Sequence, residues 1–192
     1  MSRPILFLDF DDVICLPEQG KPGAYDLMLA MHEVRSGRAE IADLQPIWDA
    51  LFFPPAVENL RILHQEFGQT YVLSTSWTRF MDRSSLEVTL TQGGLGFVAG
   101  ALHPDWETHK SPGSSRANEI GAWLQAHPEV HDWIAIDDDW SGTGFDDASG
   151  RVVICEAGKG FTSVELELAR AFLESPSPSG KEDKKALALR QA

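Results

Sequence analysis

The sequence predicts an α/β fold with a mostly parallel sheet. Short apolar runs of strand length recur along the chain, and helix-compatible segments with their own start and stop signals separate them. Such alternation places helices between parallel strands. A third observation bears on chemistry: acids or hydroxyls directly follow three of the apolar runs.

Taken in order, Pro4 to Phe10 (PILFLDF) reads as a buried strand. Residues 15 to 54 are less regular and carry Pro17, Gly20, Pro22 and Gly23. Within them a helix-compatible stretch runs near Tyr25 to Val34, and Pro54 and Pro55 close the region. The following AVENLRILHQEFG sets Val57, Leu60, Leu63 and His64 on one helical face, with Gly68 as a stop. Thr70 to Leu73 (TYVL) is the second strand and runs into Ser74, Thr75 and Ser76.

Ser84 and Glu87 have capping-box spacing and predict a helix start there, ending at Gly93 and Gly94. A short strand is expected over residues 96 to 102, and a loop with two prolines over 103 to 115. RANEIGAWLQA is a helix with Ile120, Trp123 and Leu124 as its apolar stripe, stopped by Pro128. Trp133 to Ile136 (WIAI) is a buried strand followed by Asp137, Asp138 and Asp139. Val152 to Cys155 is the last strand. Thr162 and Glu165 then have capping-box spacing before the helix VELELARAFL. From Ser175 the composition changes to SPSPSGKEDKK, so residues 175 to 192 are expected to be a disordered tail. Residues 1 to 174 form one core domain that includes 15 to 54 as a small helical cap.

Bulk properties narrow the function. The 192 residues carry a net charge of −13, which argues against gripping nucleic acid over the whole surface. A local basic pocket is compatible with that balance. Cys15 and Cys155 lie in or just after apolar runs and read as buried reduced thiols. No apolar stretch approaches the ~20 residues that span a bilayer, so a cytoplasmic location is the default expectation and no membrane partner is.

Ligands of open α/β sheets bind beyond the carboxyl ends of the strands. Three strands here deliver Asp9, Asp11 and Asp12, then Ser74, Thr75 and Ser76, then Asp137, Asp138 and Asp139 to that rim. Lys110 and Arg116 precede the last of them. Asp9 and Asp11 are two apart, which points both side chains the same way on an extended backbone. Clustered carboxylates repel, and a hard cation with oxygen ligands offsets that repulsion. Magnesium (Mg2+) suits a site that also holds phosphate. A carboxylate can attack phosphorus, while a hydroxyl and a basic group steady the phosphoryl oxygens.

This order resembles the haloacid dehalogenase (HAD) superfamily. The first motif stands as LDFDDVI with Asp9, Asp11 and Val13 in register, the second as YVLSTSW and the fourth as IAIDDD. The third is a Lys or Arg near a helix start. Compact HAD domains associated with RNA repair proteins are the nearest in pattern, with a similar Leu-Ser-x-Ser-Trp segment, Glu-Ile-x-x-Trp-Leu helix and acid pair. The resemblance covers roughly residues 4 to 174, apart from the insertion, and implies a three-layer Rossmann-like sheet and a magnesium-dependent phosphatase. It makes Asp9 the nucleophile and Asp11 the general acid/base. Asp9, Asp11, Asp137 and Asp138 become the metal set. Thr75 is the phosphate-binding hydroxyl, with Ser74 as the other register, and Lys110 or Arg116 is the basic group. Two departures stand out. Asp12 occupies a position where the family often has Gly, and Thr78 separates Trp77 from Arg79.

The implied substrate is a small phosphorylated metabolite or nucleotide. The alternative is a nucleic-acid end phosphatase that binds only the end and works with a partner. Response-regulator receivers also gather acids, a hydroxyl and a Lys, but in a different chain order. A catalytically dead scaffold conflicts with the intact acid pair. His127 and His131 are four apart with Pro128 between them, so no helix aligns them as ligands. His103 and His109 flank the basic loop and read as solvated, as do Asp146 and Asp147. Trp77 offers a ring for base stacking or for packing at the core or rim.

Overall fold

The computed structural model describes residues 3–16, 21–142, 144–145 and 151–175. Five strands form one sheet: β1 (Ile5–Leu8), β2 (Thr70–Leu73), β3 (Leu102–Glu107), β4 (Trp133–Asp138) and β5 (Val152–Cys155). Their order is β3-β2-β1-β4-β5, and every neighbouring pair is parallel. Parallel neighbours need crossovers, which the helices supply. These are α1 (Ala24–Arg35), α2 (Gln45–Leu51), α3 (Pro54–Phe67), α4 (Arg83–Gln92), α5 (Gly96–Ala99), α6 (Arg116–Ala126) and α7 (Ser163–Glu174).

Alternation along the strands divides the core in two. Ile5, Phe7, Val72, Trp133 and Ala135 face α6 and pack with Ile120, Trp123 and Leu124. Phe7 meets Trp123 edge-on with ring centres 5.3 Å apart. Leu6, Leu8, Tyr71, Leu73, Ile134 and Ile136 face the other way, against Leu60 and Leu63 of α3 and Leu166 and Ala169 of α7. The result is helix, sheet and helix in three layers, a Rossmann-like α/β fold as expected.

The inserted segment packs onto this second core. Leu27 of α1, Leu44, and Trp48 and Leu51 of α2 are buried in the same cluster as Leu86 and Leu90 of α4. Part of the insertion, residues 17–20, lies outside the described residues. So do Asp146, Asp147 and the expected tail beyond Ser175.

Local signals set most boundaries. Pro54 and Pro55 open α3, where a missing N–H is harmless. Gly68 closes it in the left-handed conformation, φ 59°. Thr162 and Glu165 form the expected capping box of α7. Two expectations are corrected. Asp82, not Ser84, caps α4: its carboxylate accepts the Ser85 amide at 2.8 Å, and Ser84 sits inside the first turn. The strand expected over 96 to 102 is displaced: Gly96–Ala99 is a helical turn, and β3 takes up Leu102–Glu107 within the expected loop.

Candidate active site

Strand register builds the site. Leu8 pairs with Leu73 on one side and with Ile136 on the other. The ladder continues one residue further: Asp9 N–H donates to Ile136 at 3.1 Å and Ser74 N–H to Leu8 at 2.9 Å. Ser74, Asp9 and Asp137 therefore form one row across three strand ends. By alternation the row faces α6, the side of Phe7 and Ala135. Thr108 extends it, its hydroxyl donating to Ser74 Oγ at 3.3 Å.

Arg116 reaches this row from the first turn of α6. Its Nε lies 2.8 Å from Asp137 Oδ2 and one terminal nitrogen 3.5 Å from Asp9 Oδ1. The other terminal nitrogen lies 3.2 Å from Glu119, one turn along the helix. Lys110 lies 3.8 Å from the same Glu119 carboxylate, and Ser114 Oγ donates to it at 2.7 Å. The two cations left open by the sequence thus share one buried acid and stand together.

Asp9, Asp137 and Asp138 are buried, and their carboxylate oxygens lie within 4.8 Å of one another. Ser141 Oγ sits among them, 3.0 Å from Asp9 and 2.9 Å from Asp137, and also bonds Asp138. A hydroxyl has one proton, so it can satisfy only one of these acids at a time. Burial, reinforced by the charge of Asp137 and opposed by Arg116, pushes the Asp9 carboxyl well above the ordinary range. Burial likewise raises Asp137 to about 6, against the pull of Arg116 and Ser141. Asp138 is held low despite burial, because it accepts from the Ser141 hydroxyl and from the Ser141 and Trp140 amides.

Asp11 stands apart from that trio. β1 ends at Leu8, and the chain turns, with Asp12 amide donating to Cys15 at 2.8 Å. The Asp11 carboxylate accepts from Trp77 Nε1 at 3.1 Å and from Ser76 Oγ at 3.4 Å. Among the described residues it is not one of the carboxylates that converge as a metal set. Burial raises its carboxyl, and the bonds from Trp77 and Ser76 oppose that rise.

Thr75 does a different job from Ser74. Its hydroxyl accepts the Trp77 amide at 3.4 Å and caps the short turn Ser76–Arg79. Strand alternation puts Thr75 on the face away from Asp9, so of the two hydroxyls it is Ser74 that shares the row of Asp9 and Asp137. Asp12 adopts φ 56°, the left-handed region, which accounts for Gly being acceptable there. Its carboxylate accepts the Gly158 amide at 2.8 Å. His103 lies at the opposite, amino end of β3, its ring against Trp123 and His127. His109 is exposed on the basic loop. Cys15 and Cys155 are buried free thiols. No helix among the described residues is long and apolar enough to cross a membrane.

Sequence reasoning missed Glu119, Ser141 and the Trp77 contact. Glu119 carried a readable signal, an acid three residues after Arg116 on one helix. Ser141 and Trp77 act across turns and long sequence separations, and no local pattern marks them.

An all-parallel sheet in this order, with buried acids at the ends of two adjacent strands, is consistent with a Rossmann-like domain of the HAD type, a class that suggests a phosphohydrolase-type function. The family model described as the HAD domain in Swiss Army Knife RNA repair proteins matches residues 5–166, and the chain belongs to that family. No curated protein and no solved structure matches it.

Proposed function

We propose that this domain is a magnesium-dependent phosphomonoesterase that works through an aspartyl phosphate on Asp9. The observation that carries the reading is the separation of the acids into two environments. Asp9 lies in a buried trio beside Arg116, and Asp11 lies outside it with its own donors. Acids held in different environments can take different roles in one reaction.

The donor set fits the metal. The trio offers only oxygen ligands, is buried, and is offset by too little positive charge to ionise freely. Asp9, Asp137 and Asp138 would hold magnesium, which would neutralise the acids and polarise the phosphoryl group.

In the first step an Asp9 oxygen bonds to phosphorus and the ester P–O bond breaks. The departing oxygen takes its proton from Asp11. In the second step Asp11 takes a proton from water, the water oxygen bonds to phosphorus, and the Asp9 P–O bond breaks. Phosphate leaves, and Asp11 is again protonated. Arg116, Lys110 and the Ser74 hydroxyl bind the equatorial oxygens, where charge spreads in the transition state.

A second reading concerns the substrate. The net charge of −13 favours a small phosphorylated metabolite or nucleotide. The family's association with RNA repair proteins favours the phosphorylated end of a nucleic acid, with binding supplied by a partner.

The test is a rapid-quench burst with p-nitrophenyl phosphate and magnesium, followed by mass spectrometry of the quenched protein. A phosphoryl group on Asp9, absent in Asp9→Asn, is the expected result. A fully active Asp9→Asn enzyme, or a label on any other residue, overturns the reading. A parallel screen of nucleotides, sugar phosphates and phosphorylated oligonucleotides separates the two substrate readings.

A further inference from the structure

We propose that Trp77 is a positioning residue for Asp11: its indole N–H fixes the direction in which the Asp11 carboxyl meets the leaving group and the attacking water. The inference rests on Asp11 being the general acid/base of the preceding section.

The geometry starts with the donor. Trp77 Nε1 lies 3.1 Å from Asp11 Oδ1 and 3.1 Å from Oδ2. A donor centred between both oxygens fixes the carboxylate group while leaving each oxygen further lone pairs for proton exchange. The only other side chain bonded to Asp11 among the described residues is Ser76, at 3.4 Å and exposed.

The indole itself cannot swing. Trp77 is 0% exposed. Phe10 packs edge-on to it at 5.1 Å between ring centres, and Phe52 stacks on it at 6.3 Å and 21°. Its backbone is fastened as well: the Thr75 hydroxyl accepts its amide at 3.4 Å, and its carbonyl accepts the Met81 amide at 3.1 Å. Asp11, by contrast, sits half-buried on a turn past the end of its strand. A rigid donor thus orients a residue whose own backbone leaves the strand ladder.

Core packing alone does not explain the contact. Trp48 is buried in the same cluster, and its indole nitrogen has no hydrogen-bond partner among the described residues. Burial in this core therefore does not by itself direct an indole N–H onto an acid. Phe52 belongs to the inserted segment, so the insertion also helps to hold the donor in place.

The experiment compares single-turnover phosphorylation of Trp77→Phe, Asp11→Asn and wild type across phosphate esters, from p-nitrophenyl phosphate to an alkyl phosphate. A good leaving group departs without a proton, and a poor one requires it. Misplacing a catalytic group by about 1 Å can cost about 10²-fold. For the alkyl ester Trp77→Phe should therefore lose roughly 30- to 100-fold, and for p-nitrophenyl phosphate at least about tenfold less than that. A residue that only supports the fold would slow every ester alike, so equal losses across the series overturn the inference. A leaving-group-dependent loss in Asp11→Asn with none in Trp77→Phe overturns it too. If Asp11→Asn shows no such dependence, the underlying reading fails instead. If Trp77→Phe melts far below wild type, benzothienylalanine at position 77 decides, since it keeps the ring and removes the N–H. It should show the same dependence, and wild-type behaviour from it refutes the proposal.

Discussion

Arg116 and Asp137 form a buried pair at the head of the site, with the guanidinium Nε 2.8 Å from the carboxylate. The same guanidinium reaches Asp9 and Glu119, so one cation counters three buried acids. Asp137, Asp9 and Glu119 together hold the guanidinium charged although burial opposes it. Removing one partner of a buried ion pair typically costs about 3–5 kcal/mol, because the other is left uncompensated. For a chain of this size each kcal/mol lowers the melting temperature by roughly 2–4 °C. Arg116→Ala should therefore melt roughly 6–20 °C below wild type at neutral pH. The deficit should shrink in mild acid, where Asp9 and Asp137 can protonate. Arg116→Lys keeps the charge, loses the planar fork, and should fall between the two. Calorimetry at two pH values checks this. An Arg116→Ala protein as stable as wild type at neutral pH would show that the pair contributes little.

The raised carboxyls predict a pH dependence of the metal-free protein. A carboxyl with a raised folded-state pKa favours the folded state while it is protonated. That advantage is present below its ordinary value and is lost as the pH climbs through the raised one. For Asp137 the window runs from 3.8 to about 6, and Asp9, raised well above the same ordinary value, acts in the same sense. Asp138, held low, works in the opposite sense but only at the acid end, below its ordinary value. In chelator the melting temperature should therefore fall between about pH 4 and about pH 6. Magnesium at ~100 times its dissociation constant should add about 2.7 kcal/mol, and more of it at the higher pH, where the acids are ionised. Thermal melts with chelator and with magnesium, for wild type and Asp137→Ala, read this directly. A melting temperature that rises across the window in chelator, or an equal magnesium shift in Asp137→Ala, contradicts it.

Much of this architecture is legible in the sequence for physical reasons. PILFLDF, TYVL and WIAI are apolar because their strands are buried on both faces, and the chemistry follows each directly because the site sits at the strand ends. The third strand was misplaced because GFVAGAL is apolar without a period, and short apolar runs do not distinguish a helical turn from a strand. At α4, Asp82 and Ser84 are both acceptable caps, and only the fold shows which hydroxyl or carboxylate reaches an amide. Ser74 and Thr75 are indistinguishable until strand pairing sets the register. Trp77 and Asp11 are separated by the whole insertion, α3 and β2, beyond any local pattern.

Asp12 tests how the first loop trades strain against a bond. Its φ of 56° is a conformation that glycine adopts freely and other residues less so. Its carboxylate meanwhile accepts the Gly158 amide at 2.8 Å, tying this loop to the one after β5. Asp12→Gly relieves strain of about 1 kcal/mol and loses a hydrogen bond of about the same size, so the change in stability should be within roughly 1 kcal/mol. Asp12→Ala keeps the strain and loses the bond, and should be the less stable of the two by about 1 kcal/mol or more. Denaturant melts of the pair decide the point. Equal stability of the two variants would show that the backbone relaxes out of the left-handed region.

The final prediction separates Ser74 from Thr75. Ser74 lies in the row with Asp9 and Asp137, on the face that Arg116 reaches. Its Oγ accepts from Thr108 and still carries a proton to donate. Thr75 lies on the other face and caps the turn that carries Trp77. The two hydroxyls should therefore fail in different ways. A hydrogen bond to a charged group contributes about 1.5–3 kcal/mol, so Ser74→Ala should lower kcat/KM by roughly 10- to 100-fold. Its melting temperature should fall by a few degrees at most, since the cost is a buried Thr108 hydroxyl left without its acceptor, about 1 kcal/mol for a bond as long as 3.3 Å. Thr75→Val removes a cap of about 1 kcal/mol and should lower the melting temperature by about 2–4 °C. Its loss of activity should be smaller than that of Ser74→Ala and should reach the chemistry through the Trp77 turn. Steady-state kinetics and thermal melts of the two variants, side by side, provide the check. If Thr75→Val instead loses the greater share of kcat/KM with an unchanged melting temperature, the phosphate-binding hydroxyl is Thr75 and the row read from the strand register is not the one that meets substrate.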